Sequence, residues 1–500
     1  MKGFWLFFSR NPNPSLLALL AVLLAGPIMT LPHHIPLNPN EGWNAYLAAR
    51  AVAGDPTRPL YPPPGAMLFN NYPPLSFPLL GLAGRLEGDV IVAGRLVALL
   101  ALLASAGLVT GCVRRMGGTP AAAMLAGLLM ALYAATSFHG YVAMDDPQWL
   151  AHAVMLAGLA TLLPAGADRF RPGRVAAAAL LVVAGGFVKH NLVALPLAVT
   201  VWLAWYDRRA LAIWCGVGAL GLLAGFGLTT LLYGPSFLTD LLHHARTMAA
   251  AGVTDGLRKL IELLGLLLAA GLLWAGPPPD AATRRMRAFV TLFLALALAT
   301  GLLQRMGDGV NSNAHFETLI AACLAAGLAV SRATSALGGR PYGAVLPTCL
   351  SILPLLALAP IQVTHEFRDL RALPVRSAHW QMAIDDLHAT PGSAACETLA
   401  LCYWAGKEET VDFFNLTQAL LTTHTLYPFM DIVRGHGFAR VEIDPATHRQ
   451  AEAIAHGGHD PITEALDAAG YIPVLDGADR TVFLAPRKAG DDERKAPSAG

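Results

Sequence analysis

Two acidic points and one cationic corner stand out in an otherwise apolar chain. Glu41 opens the run Glu41-Gly42-Trp43-Asn44-Ala45-Tyr46, Asp145-Asp146-Pro147-Gln148 lies between two later apolar stretches, and Lys189-His190-Asn191 interrupts another. A carboxylate beside a hydroxyl can take up its proton as a new bond forms. If Glu41 and Asp145/Asp146 share a cavity, one can act as base while the other orients an acceptor or a metal ion. A lysine at membrane depth is costly and usually faces a cavity or a partner, of which an anionic lipid phosphate is a natural one. Each residue also has a structural reading. Glu41 fits an interfacial acid, Asp146 fits the N-cap of a helix with Pro147 at its first position, and Lys189 fits a polar turn from which it snorkels to the surface.

Further segments carry weaker signals. Gly307 to Glu317 brings glycines and amide side chains to the start of an apolar stretch, where backbone N–H groups can meet a phosphate; a loop capped by Asn313 is the structural reading. Tyr61-Pro62-Pro63 and Asn71-Tyr72-Pro73-Pro74-Leu75 make rigid turns with aromatic anchors. The pairs His33-His34 and His243-His244 fit either metal ligands or polar interfacial residues. The chain contains no Walker-type loop and no dinucleotide fingerprint.

The elements that must hold these residues are membrane spans. Hydrophobic residues make up 55% of the chain and charged residues 14%, against roughly a quarter charged in ordinary soluble domains. About eleven stretches are long enough to cross a bilayer core, near 15–34, 91–111, 119–138, 148–164, 175–188, 190–206, 210–233, 260–276, 288–304, 317–331 and 342–361. Alternate connections hold Lys2 and Arg10, Arg114 and Arg115, Arg169, Arg171 and Arg174, Arg208 and Arg209, Arg284, Arg285 and Arg287, then Arg332 and Arg340. The positive-inside rule makes these cytoplasmic. The N-terminus is then cytoplasmic, and the loops at 35–90, 139–147, 234–259 and 305–316, with everything after 361, lie outside. No small-x-small cleavage site follows the first span, where Pro32, His33, His34 and Pro36 stand instead.

The expected fold class is an all-α polytopic membrane protein with a small C-terminal extracytoplasmic α/β domain. Residues 1–361 form the membrane domain with its large first loop 35–90, residues 362–486 the outer domain, and 487–500 a charged disordered tail. Strands are expected at Tyr471 to Leu475 and Thr481 to Leu484, and helices around His379 to Leu387 and Thr463 to Ala469. Cys112, Cys215, Cys323 and Cys349 read as packing residues, whereas Cys396 and Cys402, in the outer domain, can form a disulfide. Asp412-Phe413-Phe414-Asn415 and Tyr403-Trp404 read as domain core, with sugar stacking as the functional alternative. The net charge of +1 gives no reason to expect a nucleic-acid partner.

Taken in order, Glu41 to Tyr46, Ala48-Ala49-Arg50, Ala53-Gly54-Asp55, Asn71 to Leu75, Gly94-Arg95-Leu96, Asp146-Pro147, Gly186-Phe187-Val188-Lys189 and Asn311 to Glu317 resemble the GT-C superfamily of polytopic glycosyltransferases, the bacterial relatives of protein mannosyltransferases and aminoarabinose transferases. The resemblance covers roughly residues 10–330. It implies transfer of a sugar from a polyprenyl-phosphate donor to an extracytoplasmic acceptor (glycolipid, polysaccharide or protein), with inversion, in a bacterial inner membrane. Glu41 then matches the catalytic base, although many members carry Asp there, and Asp146, with Asp145 as neighbour, matches the second acidic motif. Lys189 is the best match for the residue that holds the lipid phosphate; His190, Arg95, Arg305 and His315 are further donor-binding expectations. No organic cofactor is implied, and a divalent cation (Mg or Mn) is compatible with the chemistry. The rival readings are a lipid or solute transporter, a polymerase or ligase that moves a whole lipid-linked glycan, and an inactive homologue that binds an envelope partner. Transporters place charges near the bilayer midplane within repeats, and here the polar residues lie at span ends with no repeat.

Overall fold

The computed structural model describes residues 12–487 apart from 56, 164–169, 245, 277, 279, 337–343, 424–426, 445–460 and 477–480. Lys2, Arg10, Arg169, Arg340 and the tail 488–500 lie outside the described residues.

Helix α1 (Asn13–Thr30) leads to a first loop that folds into α2 (Asn40–Ala53) and α3 (Ser76–Glu87). The bundle continues with α4 (Val90–Arg115), α5 (Pro120–Ser137), α6 (Gln148–Leu162), α7 (Pro172–Val188), α8 (Ala194–Tyr206) and α9 (Arg208–Tyr233). After α10 (Ser236–Leu242) come α11 (Ala251–Glu262), α12 (Leu264–Gly271), α13 (Ala281–Gln304), α14 (Phe316–Ala336) and α15 (Val345–Ala389). Among the described residues, seven helices are long and apolar enough to cross a membrane, and four shorter apolar ones accompany them. Together they cover the eleven stretches read from the sequence.

Local chemistry sets the helix starts. Asp89 accepts from the N–H groups of Ile91 and Val92 at the head of α4, Thr119 precedes Pro120 at the head of α5, and Asp207 and Asp280 cap α9 and α13. Inside the bundle, α14 is sheathed on all sides, with Leu319, Ile320, Cys323 and Leu324 buried. Helix α9 is the opposite, leaving Leu220, Leu223 and Leu231 at 68%, 70% and 85% exposure. Leucines bared along a whole helix are disfavoured in water and suit a lipid-facing surface.

The eleventh apolar stretch does not end at 361. Helix α15 runs on to Ala389, so the expected domain boundary falls inside a helix that carries the chain out to the C-terminal unit. The expected helix at His379 to Leu387 is its last turns. Beyond it lie β1 (Ala394–Cys396), α16 (Leu399–Trp404), α17 (Phe413–Thr422), α18 (Phe429–Arg434), β2 (Arg440–Ile443), α19 (Pro461–Ala468), β3 (Tyr471–Asp476) and β4 (Val482–Pro486). The sheet order is β1-β2-β4-β3, with β1 and β2 parallel and the other pairs antiparallel. Cys396 and Cys402 are joined in a disulfide that ties β1 to α16. Phe413 lies in the core of this unit, while Tyr403 and Trp404 pack on the first loop, Trp404 donating to Asp89 Oδ2 at 2.8 Å.

The centre of the sheet holds an acid. Glu442 is fully buried in β2, accepts from the Thr398 N–H and hydroxyl at 2.8 and 2.9 Å, and is pushed up to about 8 by burial and by nearby Glu397. The folded state thus holds a proton that the unfolded chain releases near pH 4.5. Stability from this group is complete below that pH and falls as pH rises through 8. Hydrogen-exchange protection of β2 should be greater at pH 5 than at pH 8.5, and Glu442→Gln should flatten the difference.

Candidate active site

The site is built where the first loop meets the loop between α5 and α6. Its framework is an ion pair. Arg95, one turn inside α4 and fully buried, donates Nε and Nη2 to the two oxygens of Glu41 at 2.8 and 2.7 Å. Its remaining N–H groups reach the carbonyls of Leu31, His33 and Ile35 at 3.2, 2.8 and 2.6 Å. A fork of five donors suits both the bidentate carboxylate and the turn that leaves α1. Glu41 also accepts the N–H groups of Leu37 (2.8 Å) and Asp145 (3.1 Å), and it too is fully buried. Both of its oxygens are engaged.

The Asp145 N–H reaches Glu41 because the α5–α6 connection is contorted. A short 3-10 turn, His139–Tyr141, is followed by Ala143 at φ 53°, a left-handed conformation that costs a non-glycine residue energy and clusters at functional sites. Asn44 donates Nδ2 to the Asp145 carbonyl at 2.6 Å. The Asp145 side chain is buried against Gly94, where an added Cβ would fall 1.9 Å from Oδ1, and neither carboxyl oxygen has a hydrogen-bond partner. Burial, with Glu41 close by, holds its carboxyl well above the usual carboxylate range.

Asp146 points the other way. Its Oδ1 accepts from the N–H of Gln148, the first residue of α6, at 2.7 Å, although Pro147 rather than Asp146 stands at the N-cap, one residue later than expected, and Lys189 Nζ stands 3.2 Å from Oδ2. Lys189 follows the last residue of α7, is buried to 3% exposure, and also donates to the Tyr72 hydroxyl at 2.6 Å from above that ring. It is therefore held inside rather than snorkelling. Tyr72 is positioned by Asn70, whose Oδ1 accepts the Tyr72 N–H, and by the Leu75 N–H donated to the Phe187 carbonyl.

Of the residues expected from the sequence, Glu41, Arg95, Asp145, Asp146 and Lys189 thus form one connected cluster. The free-base expectation for Glu41 and the phosphate expectation for Arg95 meet a mutual pair that leaves neither group open. His190 is exposed beside Lys189. Arg305 and His315 belong to a neighbouring group with Lys259: Arg305 donates to the Val310 carbonyl, and the fully buried His315 ring packs against Gly256 and Gly301 with both nitrogens unpartnered. The reciprocal Gln148–Asn313 hydrogen bonds, at 2.9 and 2.7 Å, tie that group to the head of α6. Glu317 serves α8, accepting the N–H groups of Ala194 and Leu195 at 3.1 and 2.9 Å.

Two contributors were not singled out from the sequence. Tyr72 lay in a motif read as a turn, and its hydroxyl completes the Lys189 contacts. Arg246 is a single arginine that meets its near neighbour His244 (3.1 Å) and that tertiary folding brings to the Asp308 carbonyl and the Phe414 ring. The first histidine pair has protein partners: His33 meets Ser377 at 3.0 Å, and His34 meets Asp89 at 3.2 Å and stacks on Trp404. Among the described residues no group of three or more His, Cys, Asp or Glu is arranged to hold a metal ion.

The C-terminal unit closes over this framework. Gly42, beside Glu41, meets the α16 backbone so closely that a Cβ would fall 1.9 Å from the Ala400 nitrogen. Gly42→Val should force α2 and α16 apart and cost about 1–3 kcal/mol. A lowered thermal midpoint with faster proteolysis of the C-terminal unit is the expected readout, and unchanged cleavage would show that the contact is dispensable.

No protein-family model and no curated protein sequence matches the chain. Solved structures do. ArnT, the aminoarabinose transferase of Cupriavidus metallidurans, bound to undecaprenyl phosphate, superposes with a TM-score of 0.62 at 15% identity, covering 94% of this chain and 97% of that one. Its apo form gives 0.60 at the same identity and coverage. The archaeal oligosaccharyltransferase AglB of Archaeoglobus fulgidus, in complex with an inhibitory peptide and a dolichol-phosphate, gives 0.52 at 13% identity, covering 97% of this chain and 75% of that one. The likeness runs over nearly the whole length, so the chain shares its overall fold with these solved structures.

Proposed function

We propose that the protein is a membrane glycosyltransferase that moves a sugar from a polyprenyl-phosphate donor to an extracytoplasmic acceptor by single displacement with inversion. The observation that carries this reading is the cluster of buried Asp146 and Lys189 with Tyr72, in a fold shared with solved structures that hold undecaprenyl and dolichol phosphates. Arg114, Arg115, Arg209 and Arg285, from three of the arginine-bearing connections, line one cavity, which favours a cytoplasmic N-terminus and a periplasmic C-terminal unit in a bacterial inner membrane.

In the resting state Asp146 and Lys189 neutralise each other. An arriving donor presents a phosphate that competes for Lys189, and the ammonium and the Tyr72 hydroxyl pass to the phosphate oxygens. Asp146 is then free to face the acceptor hydroxyl. Its carboxylate takes the hydroxyl proton as the acceptor oxygen bonds to the anomeric carbon, and the bond from that carbon to the phosphate oxygen breaks with its electron pair leaving on the phosphate. Lys189 stabilises the charge that develops there. Glu41 acts as a positioning residue: held by Arg95, it fixes the Asp145 backbone and so the direction of Asp146.

The test is to incubate membranes containing the protein with radiolabelled polyprenyl-phosphate sugars and follow label into lipid, polysaccharide and protein. Transfer to a new product that is lost in Asp146→Asn supports the reading. Label that crosses the bilayer in unchanged chemical form would favour a transporter instead.

A further inference from the structure

A large cavity lies at the end of the bundle away from the carboxylates. Arg114 and Arg115 end α4, about twenty residues beyond Arg95 and so ~30 Å further along one helix axis. They open onto a cavity of about 1420 Å³ that Arg209, at the head of α9, and Arg285, in the first turns of α13, also line. Small-ligand pockets commonly measure roughly 300–1,000 Å³, so this space exceeds what a free phosphate needs.

Its electrostatics favour anions. Four guanidiniums line it against two carboxylates, Asp207 and Asp280, and both acids are already engaged as helix caps. Arg114 is partly satisfied by the Gly118 carbonyl at 2.5 Å. Arg285 Nε is buried in the cavity wall without an acceptor. The N-termini of α7, α9 and α13 open at the same place and add their positive dipole ends. Phe170, Trp202, Ile213 and Met286 form an apolar side to the same cavity.

We propose that this cavity binds a diphosphatidylglycerol-type lipid of the cytoplasmic leaflet, its two phosphates on the arginine groups and its glycerol and chain roots on the apolar side. Guanidinium forks match phosphate oxygens in pairs, and basic pockets between membrane helices on the cytoplasmic side are suited to such headgroups. One phosphate has too few oxygens to pair with four guanidinium forks, whereas two linked phosphates offer acceptors for all four. The proposal shares only the orientation of the chain with the transfer reaction, not its chemistry.

Native mass spectrometry of the full-length protein in detergent, titrated separately with diphosphatidylglycerol, phosphatidylglycerol, phosphatidylethanolamine and inorganic phosphate, tests it. Diphosphatidylglycerol should bind at least tenfold tighter than each of the others. The triple variant Arg115→Gln, Arg209→Gln, Arg285→Gln should lose at least tenfold of that affinity while still binding a polyprenyl phosphate at the opposite face. Ala282→Trp, which pushes an indole into the cavity without removing charge, should weaken that binding as well and serves if the triple variant does not fold. Equal binding of phosphatidylglycerol, full competition by inorganic phosphate at equal concentration, or undiminished binding in the variants would each overturn the proposal.

Discussion

Asp146→Asn is expected to lower kcat by about 10²–10⁴-fold, the range that general-base catalysis supplies, without weakening donor binding. The amide keeps the shape of the side chain and its acceptance of the Gln148 N–H, found at 2.7 Å in the wild type, so helix α6 keeps its start. What it loses is the capacity to take a proton. Asp145→Asn is the internal control. That carboxyl is fully buried, lacks hydrogen-bond partners and is held above its ordinary range by burial, which disfavours its charged form and its use as a base. Its amide should leave turnover little changed. Steady-state label transfer at saturating donor separates the two variants, and equal losses in both would assign the effect to a shared structural role.

Arg95→Met is expected to destabilise the protein by about 3–5 kcal/mol, because breaking one half of a buried ion pair leaves the other charge without its partner. Glu41 would remain fully buried with only the Leu37 and Asp145 N–H groups to hold it, and the carbonyls of Leu31, His33 and Ile35 would lose their common donor. Combining Arg95→Met with Glu41→Leu should recover part of the loss, since a well-packed apolar pair can replace a buried salt bridge. Thermal unfolding in detergent across this double-mutant cycle gives the coupling. A single-variant loss below about 1 kcal/mol would mean that the pair is more hydrated than its geometry shows.

The membrane spans were legible because twenty-residue apolar stretches and alternating arginines follow directly from the cost of burying charge in lipid. The positions of the acids were legible for a related reason: Glu41, Asp145 and Asp146 sit where spans end and polar groups concentrate. Their roles were not. Whether a carboxylate is open or consumed depends on a partner that only the fold brings near, and Arg95 lies 54 residues from Glu41. Asp145 and Asp146 are adjacent in the chain yet differ in partners, and the backbone just before them turns left-handed at Ala143. Local propensity gives no sign of that turn. Helix α15 was truncated in the sequence reading for a different reason. Its apolar character fades near 361, yet the helix continues past Pro360 and Pro374 to Ala389.

The central claim is a division of labour: Lys189 binds the donor phosphate, and Asp146, released from it, handles the acceptor proton. Affinity for an unglycosylated polyprenyl phosphate, measured on purified wild type, Lys189→Met and Asp146→Asn, tests this most directly. Lys189→Met should bind at least tenfold more weakly, and Asp146→Asn should bind as tightly as wild type or more tightly, having lost the carboxylate that competes for the ammonium. Undiminished binding in Lys189→Met, or a matching loss in Asp146→Asn, would contradict the account.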